Sequence, residues 1–186
     1  MHAPALIRTY HDIETPAPGM WAITHGWAVA ATWRTGIRHR RVDTRALGGT
    51  LVVGSEPGSL GLVLAVDTRH VDAVPADSLR LRTTAVRPTA DGRWTAEAAA
   101  EPVVDGRAGR PWEVMRVELR YHGVFRIGDG ARARIALRAR VAVPAGPTGV
   151  AGRRRSAVVD LVADLDAEAP VALVTAARRE SGRAAG

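Results

Sequence analysis

The 186-residue chain contains no cysteine, which excludes a disulfide framework, thiol chemistry and cysteine-ligated metal. Lysine, asparagine and glutamine are missing as well. Every basic side chain other than histidine is therefore arginine. So sweeping a depletion reads as a compositional bias of the whole chain, such as a GC-rich genome imposes, rather than as selection for a basic site. The net charge of +7 is discounted on that ground, and no nucleic-acid partner is expected from it. Phenylalanine occurs once and tyrosine twice, so the five tryptophans supply most of the ring bulk. No apolar run approaches the roughly 20 residues of a membrane-spanning helix, and stable membrane insertion is not expected. The opening residues 1 to 19 lack the basic start and continuous apolar core of a secretory signal, because Pro4 and Arg8 interrupt the one candidate. The cytoplasm is the expected location.

What the chain does have is a period of two. From Met115 to Ile127 the odd positions are Met115, Val117, Leu119, Tyr121, Gly123, Phe125 and Ile127, and the even ones are mostly arginine, glutamate and histidine. After Gly128-Asp129-Gly130 the alternation resumes with Ala131, Ala133, Ile135, Leu137, Ala139, Val141 and Val143. This predicts a long β-hairpin over 112–143 with one face buried. A three-residue loop at Gly128–Gly130 keeps both apolar sets on one face, pairing Tyr121 with Leu137, Leu119 with Ala139 and Val117 with Val141. Gly123 is expected to mark a bend.

The same pattern predicts strands at about 20–34, 42–53 (bent at Gly48-Gly49), 60–66, 79–86, 93–104 and 157–165. Arg38 to Arg41 reads as an exposed turn, and Val74 to Leu79 as a single helical turn. Three prolines make 1–19 an arm without a regular element. Residues 171–177 are ambiguous between strand and helix, and 178–186 is expected to be a disordered tail. One domain, residues 20–177, is expected. Its fold class is all-β: eight antiparallel strands, nine if 171–177 is one, in a barrel or sandwich with at most short helical turns.

Chemical motifs are sparse. Gly128-Asp129-Gly130-Ala131-Arg132-Ala133 matches a dinucleotide fingerprint in letters only, since a strand pattern follows it where a helix is required. The six histidines have no close metal-ligand spacing, and no Gly-x-Ser-x-Gly elbow exists. No metal, cofactor or catalytic residue is assigned. His122 falls on a polar strand face, where a solvated role is the default. Asp67 ends a strand, where the default is turn capping. The arginine runs at 38–41 and 153–155 lack the interleaved aromatics of a nucleic-acid site.

Several segments, in order, resemble the YceI-like family. Trp21-Ala22-Ile23 fits its opening, and Gly49-Thr50-Leu51 matches its Gly-Thr-Leu. Val66-Asp67-Thr68-Arg69-His70-Val71 and Asp77-Ser78-Leu79-Arg80 are similar to its strand-end and Asp-x-x-Leu elements. Leu119-Arg120-Tyr121-His122-Gly123-Val124-Phe125-Arg126 resembles its Leu-Thr-Ile-His-Gly-Val-Thr-Arg strand. Departures stand at Thr24-His25-Gly26-Trp27-Ala28, where the family has Asp-Pro-x-His-Ser, and at Thr44-Arg45-Ala46, where it has Gly-x-Phe. The resemblance covers about residues 20 to 143. It implies a lipocalin-like barrel whose lumen holds an isoprenoid or quinone tail and performs no chemistry.

The function expected is therefore non-catalytic: a carrier or sensor of a small, elongated apolar lipid. Trp27, Val29 and Trp33 would line one wall, Leu62, Leu64 and Val66 a second, and Leu119, Tyr121, Phe125, Ile135 and Leu137 the hairpin wall, with Ala96, Ala98 and Ala100 leaving space. The alternatives are a filled barrel acting by surface contact with a protein, and a cofactor-using barrel enzyme built on His122 or Asp67. A homodimer is left open.

Overall fold

The computed structural model describes residues 18–35, 37–55, 59–89, 93–127, 130–144 and 157–168, with the side chains of 35 and 124–131 excepted. The expected arm, most of the Pro/Gly loop after Val143, the ambiguous segment 171–177 and the tail lie outside the described residues. Ten strands are found: β1 (Gly19–Thr35), β2 (Arg38–Asp43), β3 (Ala46–Val53), β4 (Leu60–Asp67), β5 (Ser78–Thr89), β6 (Arg93–Val104), β7 (Arg107–Ala108), β8 (Trp112–Ile127), β9 (Gly130–Val143) and β10 (Ala157–Glu168). Their order is β10-β9-β8-β6-β5-β4-β3-β1, and β10 pairs back onto β1 to close an eight-stranded barrel. Every pairing is antiparallel, β2 adding to β1 and β7 to β6. The fold is thus the expected antiparallel, lipocalin-like barrel.

Two short stretches differ from expectation. Arg38 to Arg41 is strand rather than turn: β2 pairs with the far end of β1, Trp33 facing Arg40 and Ala31 facing Val42. Its residues are almost all exposed, so it has no one-sided apolar pattern to betray it. The segment before β5 contains no helical turn. Two successive four-residue β-turns close just before it, Val71 N–H donating to Thr68 O and Val74 N–H to Val71 O. Beyond Pro75, which lacks an N–H, Asp77 is drawn to a neighbouring strand, its N–H donating to Val103 O at 2.9 Å.

The barrel's two ends are unlike. At one, the β4–β5 connection folds inward and buries Val71 and Val74 against the core, forming a plug. At the other, where β5 turns into β6 and β8 into β9, the inner wall is only half buried at Val53, Leu60, Val86, Trp94, Ala96 and Ala98. This end is the mouth of the barrel.

The long hairpin preserves one apolar face by a different device from the one expected. Ile127 pairs with Gly130, so the loop has two residues, not three. A one-residue bulge at His122, between the pairs Tyr121–Ile135 and Gly123–Arg134, then restores the parity that the even loop would have lost. In consequence Leu119 faces Leu137 and Val117 faces Ala139, each two residues from the expected partner. A second bulge at Met115, between Val114–Val141 and Arg116–Arg140, turns that side chain outward, where it is exposed. Gly123 sits at the first bulge with φ +108°, a conformation that costs an L residue of order 1 to 3 kcal/mol. Gly123→Ala should accordingly lower the unfolding free energy by about 1 to 2 kcal/mol in a urea titration, although no atom of the described residues would meet the added Cβ within 4 Å. A neutral result would mean the bulge is not held in this form.

Candidate functional site

Twelve of the fourteen residues expected to line the lumen face the barrel interior. Val29, Trp33, Leu62, Leu64, Val66, Ala100, Leu119, Tyr121, Ile135 and Leu137 belong to one core cluster, against which Ala96 and Ala98 pack partly buried. Trp27 does not join them. A bulge between Ile23 and His25 flips the facing of β1, and a second between Trp27 and Ala30, at Ala28 with φ +47°, flips it back. Between the two bulges the odd positions point outward. Trp27, 53% exposed, stacks on His25 with ring centroids 5.8 Å apart and donates its indole N–H to Asp166 Oδ2 at 2.8 Å. Phe125 pairs with Arg132 rather than with an apolar partner, and its side chain lies outside the described residues.

The deep half of the interior is filled. Leu64, Val66, Leu79 and Val141 are exposed by 2% or less, so they meet other side chains rather than solvent, and a tail running the full length of the lumen would have no room beside them. The mouth differs in shape and chemistry. Ala96 and Ala98 carry single methyl groups on β6, opposite Val86 and Thr83. Trp94 packs edge-on against Tyr121, with centroids 6.3 Å apart. Its indole N–H is buried and finds no acceptor among the described residues. An unsatisfied buried donor costs about 1 to 3 kcal/mol, a cost that a ligand carbonyl or hydroxyl would remove.

Asp67 and His122, the two titratable residues singled out in the sequence, lie toward opposite ends of the barrel. Asp67 ends β4 beside the plug, 4% exposed. Its carboxylate accepts from Arg69 Nε at 3.0 Å, Arg69 Nη2 at 2.6 Å, Arg69 N–H at 3.2 Å and Arg45 Nε at 3.2 Å. The Arg69 side-chain bonds, opposed by burial, hold it well below the usual carboxylate range. The bond to the N–H two residues on is the turn cap expected of a strand-ending aspartate. The carboxylate is thereby committed to structure. His122, on the outer surface toward the mouth, is depressed below the ordinary imidazole value by burial and then by the charge of Arg120. No base and nucleophile are brought together by this pair.

No protein-family model and no curated protein matches the chain. Among the described residues no group of three or more metal-ligating side chains is assembled, and no helix is long and apolar enough to cross a membrane.

A feature that the sequence reading passed over lies outside the barrel near the mouth. A groove of about 550 Å³ crosses the outer face of β6, β8, β9 and β10, lined in part by Arg93, Arg120, His122, Ala136, Arg138 and Asp164. Beside it Asp166 is 3% exposed although it is on the outer face. Burial pushes its carboxyl up, but bonds from Arg134 and Trp27 overcome this and hold it below the ordinary value. These residues are scattered over five strands, and no spacing in the sequence marks them.

Proposed function

We propose that the protein is a non-catalytic binder, a carrier or sensor, of an apolar isoprenoid or quinone-like lipid seated at the mouth of the barrel. The observation that carries this reading is the contrast between the plugged, filled half of the interior and the mouth, where alanines, half-buried apolar side chains and the unpartnered Trp94 N–H meet. The resemblance to the YceI-like family points to the same ligand class. The filled deep half limits how far a tail enters, so a quinone with a short isoprenoid tail is the preferred probe. Burying about ten methylene equivalents is worth roughly 8 kcal/mol at about 0.8 each, and association costs of several kcal/mol bring the expected affinity to the micromolar range at best.

Native mass spectrometry of protein purified from its own host should show retained lipid, and the short-tailed quinone should quench tryptophan fluorescence. Ala98→Trp should fill the mouth and abolish quenching while the sheet signal in circular dichroism persists. Equal binding by a folded Ala98→Trp variant, or no binding by the parent, would sink the proposal. In the second case the filled deep core favours the alternative reading, a barrel that works through its outer surface on a protein partner or a second copy.

A further inference from the structure

Cross-strand register on the outer face brings together residues far apart in sequence. Arg93 is directly opposite Arg120, Arg120 opposite Ala136, Ala136 opposite Asp164 and Asp164 opposite Trp27. One row thus crosses β6, β8, β9, β10 and β1. In the adjacent row Thr95 faces Glu118 and Glu118 faces Arg138, which puts Arg138 diagonal to Arg120. Directly opposite residues have Cβ atoms about 5 Å apart and diagonal ones about 7 to 8 Å, within reach of long side chains.

The arrangement is unfavourable as it stands. Like charges directly opposite one another destabilise a sheet, yet Arg93 and Arg120 have no carboxylate partner among the described residues, and neither has Arg138. Several other outer-face arginines nearby are matched: Arg134 by Asp166, Arg140 by Asp160, Arg132 by Glu168. Arg116 and Arg140 are also opposite each other, but each has its own carboxylate, Glu118 and Asp160. At the unmatched site the row dips to a single methyl at Ala136, which forms the floor of the groove, and the bulge in β8 sets His122 at its side. Asp164 stands at the far side of that floor, next to the Trp27 indole that Asp166 holds in place.

We propose that this outer groove is a second ligand site that takes a phosphate monoester, its dianion held by Arg93, Arg120 and Arg138 above Ala136. Guanidinium forks suit phosphate oxygens by paired, charge-assisted hydrogen bonds. Glu118 is engaged by Arg116, so three positive charges against Asp164 leave an excess of about two, which a dianion matches. Asp164 repels the phosphate from the far side and accepts from a hydroxyl of the ester's body, while Trp27 offers a ring face beyond it. The groove reaches Trp94 at the edge of the mouth, but the arginines that would hold the phosphate are on the outer face, and the site does not require that the mouth bind lipid.

The test is isothermal titration of the full chain with phenyl phosphate, and in parallel with vesicles of phosphatidylcholine carrying phosphatidic acid, to separate a soluble ester from a lipid headgroup. Arg120→Ser should weaken phenyl phosphate binding by about tenfold, the loss of one charge-assisted contact. Ala136→Leu, which raises the floor without changing charge, should weaken it by a similar factor. Arg38→Ser on β2, an equal charge change away from the groove, should leave it unaltered. Binding to phosphatidic acid vesicles alone, with the same dependence on Arg120 and Ala136, would assign the phosphate to a lipid headgroup. Unchanged binding in folded Ala136→Leu, an equal loss in Arg38→Ser, or no binding to either probe would overturn the proposal.

Discussion

Leu64→Ala is expected to lower the unfolding free energy by about 3 to 4 kcal/mol, read as a fall in the urea midpoint at unchanged slope. Leu64 lies on the inner face of β4 between Gly49 of β3 and Leu81 of β5, and none of its surface is exposed. Truncation removes the transfer energy of the lost carbons and also leaves a cavity that paired strands on both sides cannot close. Leu47→Ala, at a half-exposed position on β3, should cost less than about 0.5 kcal/mol and serves as the reference. A cost below about 1 kcal/mol at Leu64 would mean that the deep interior is loose, and the ligand seat would then extend past the mouth.

Asp67→Ala should cost about 3 kcal/mol near neutral pH, since a buried carboxylate with hydrogen bonds from charged donors is lost. Arg45 and Arg69 are themselves largely exposed, so they return to water on truncation and add little. The pH dependence has a fixed sign. Asp67 has a depressed value in the folded state, so its contribution is complete above the unfolded carboxylate value of about 3.9 and is lost as pH falls below it. The difference between parent and variant should therefore shrink by about 2 kcal/mol between pH 7 and pH 2. A difference that stayed constant over that range would show that the residue acts through packing rather than charge.

The strands were legible because one buried face imposes a period of two, and the windows around Leu62, Leu81, Leu137 and Leu161 match the structure closely. What the pattern conceals is a bulge. At Trp27 the large apolar residues at odd positions, Trp21, Ile23, Trp27, Val29 and Trp33, predict one inner face, yet two bulges with opposite effects exclude the third member and leave the rest in place. At His122 the alternation is equally uninformative, because an even loop plus one bulged residue preserves the same face as an odd loop. The outer groove was invisible for another reason. Its floor and its arginines become neighbours only through register between strands, and register is set two residues away from where the loop argument placed it.

Closure of the barrel also governs how it is reached. The seam between β1 and β10 unites residues as far apart as Trp27 and Asp166, separated by 139 positions, while the remaining barrel pairings join strands close in sequence. Loop-closure entropy rises with that separation, and topologies rich in distant contacts fold slowly. The hairpins form first on this account and the seam last, so its hydrogen bonds contribute to slowing unfolding more than to speeding folding. Until β10 docks, β9 and the opposite flank of β1 present bare strand edges to any other chain. The two bulges in β1 then do a second service, because a strand that twists twice within seven residues is a poor template for a stranger and a specific one for β10.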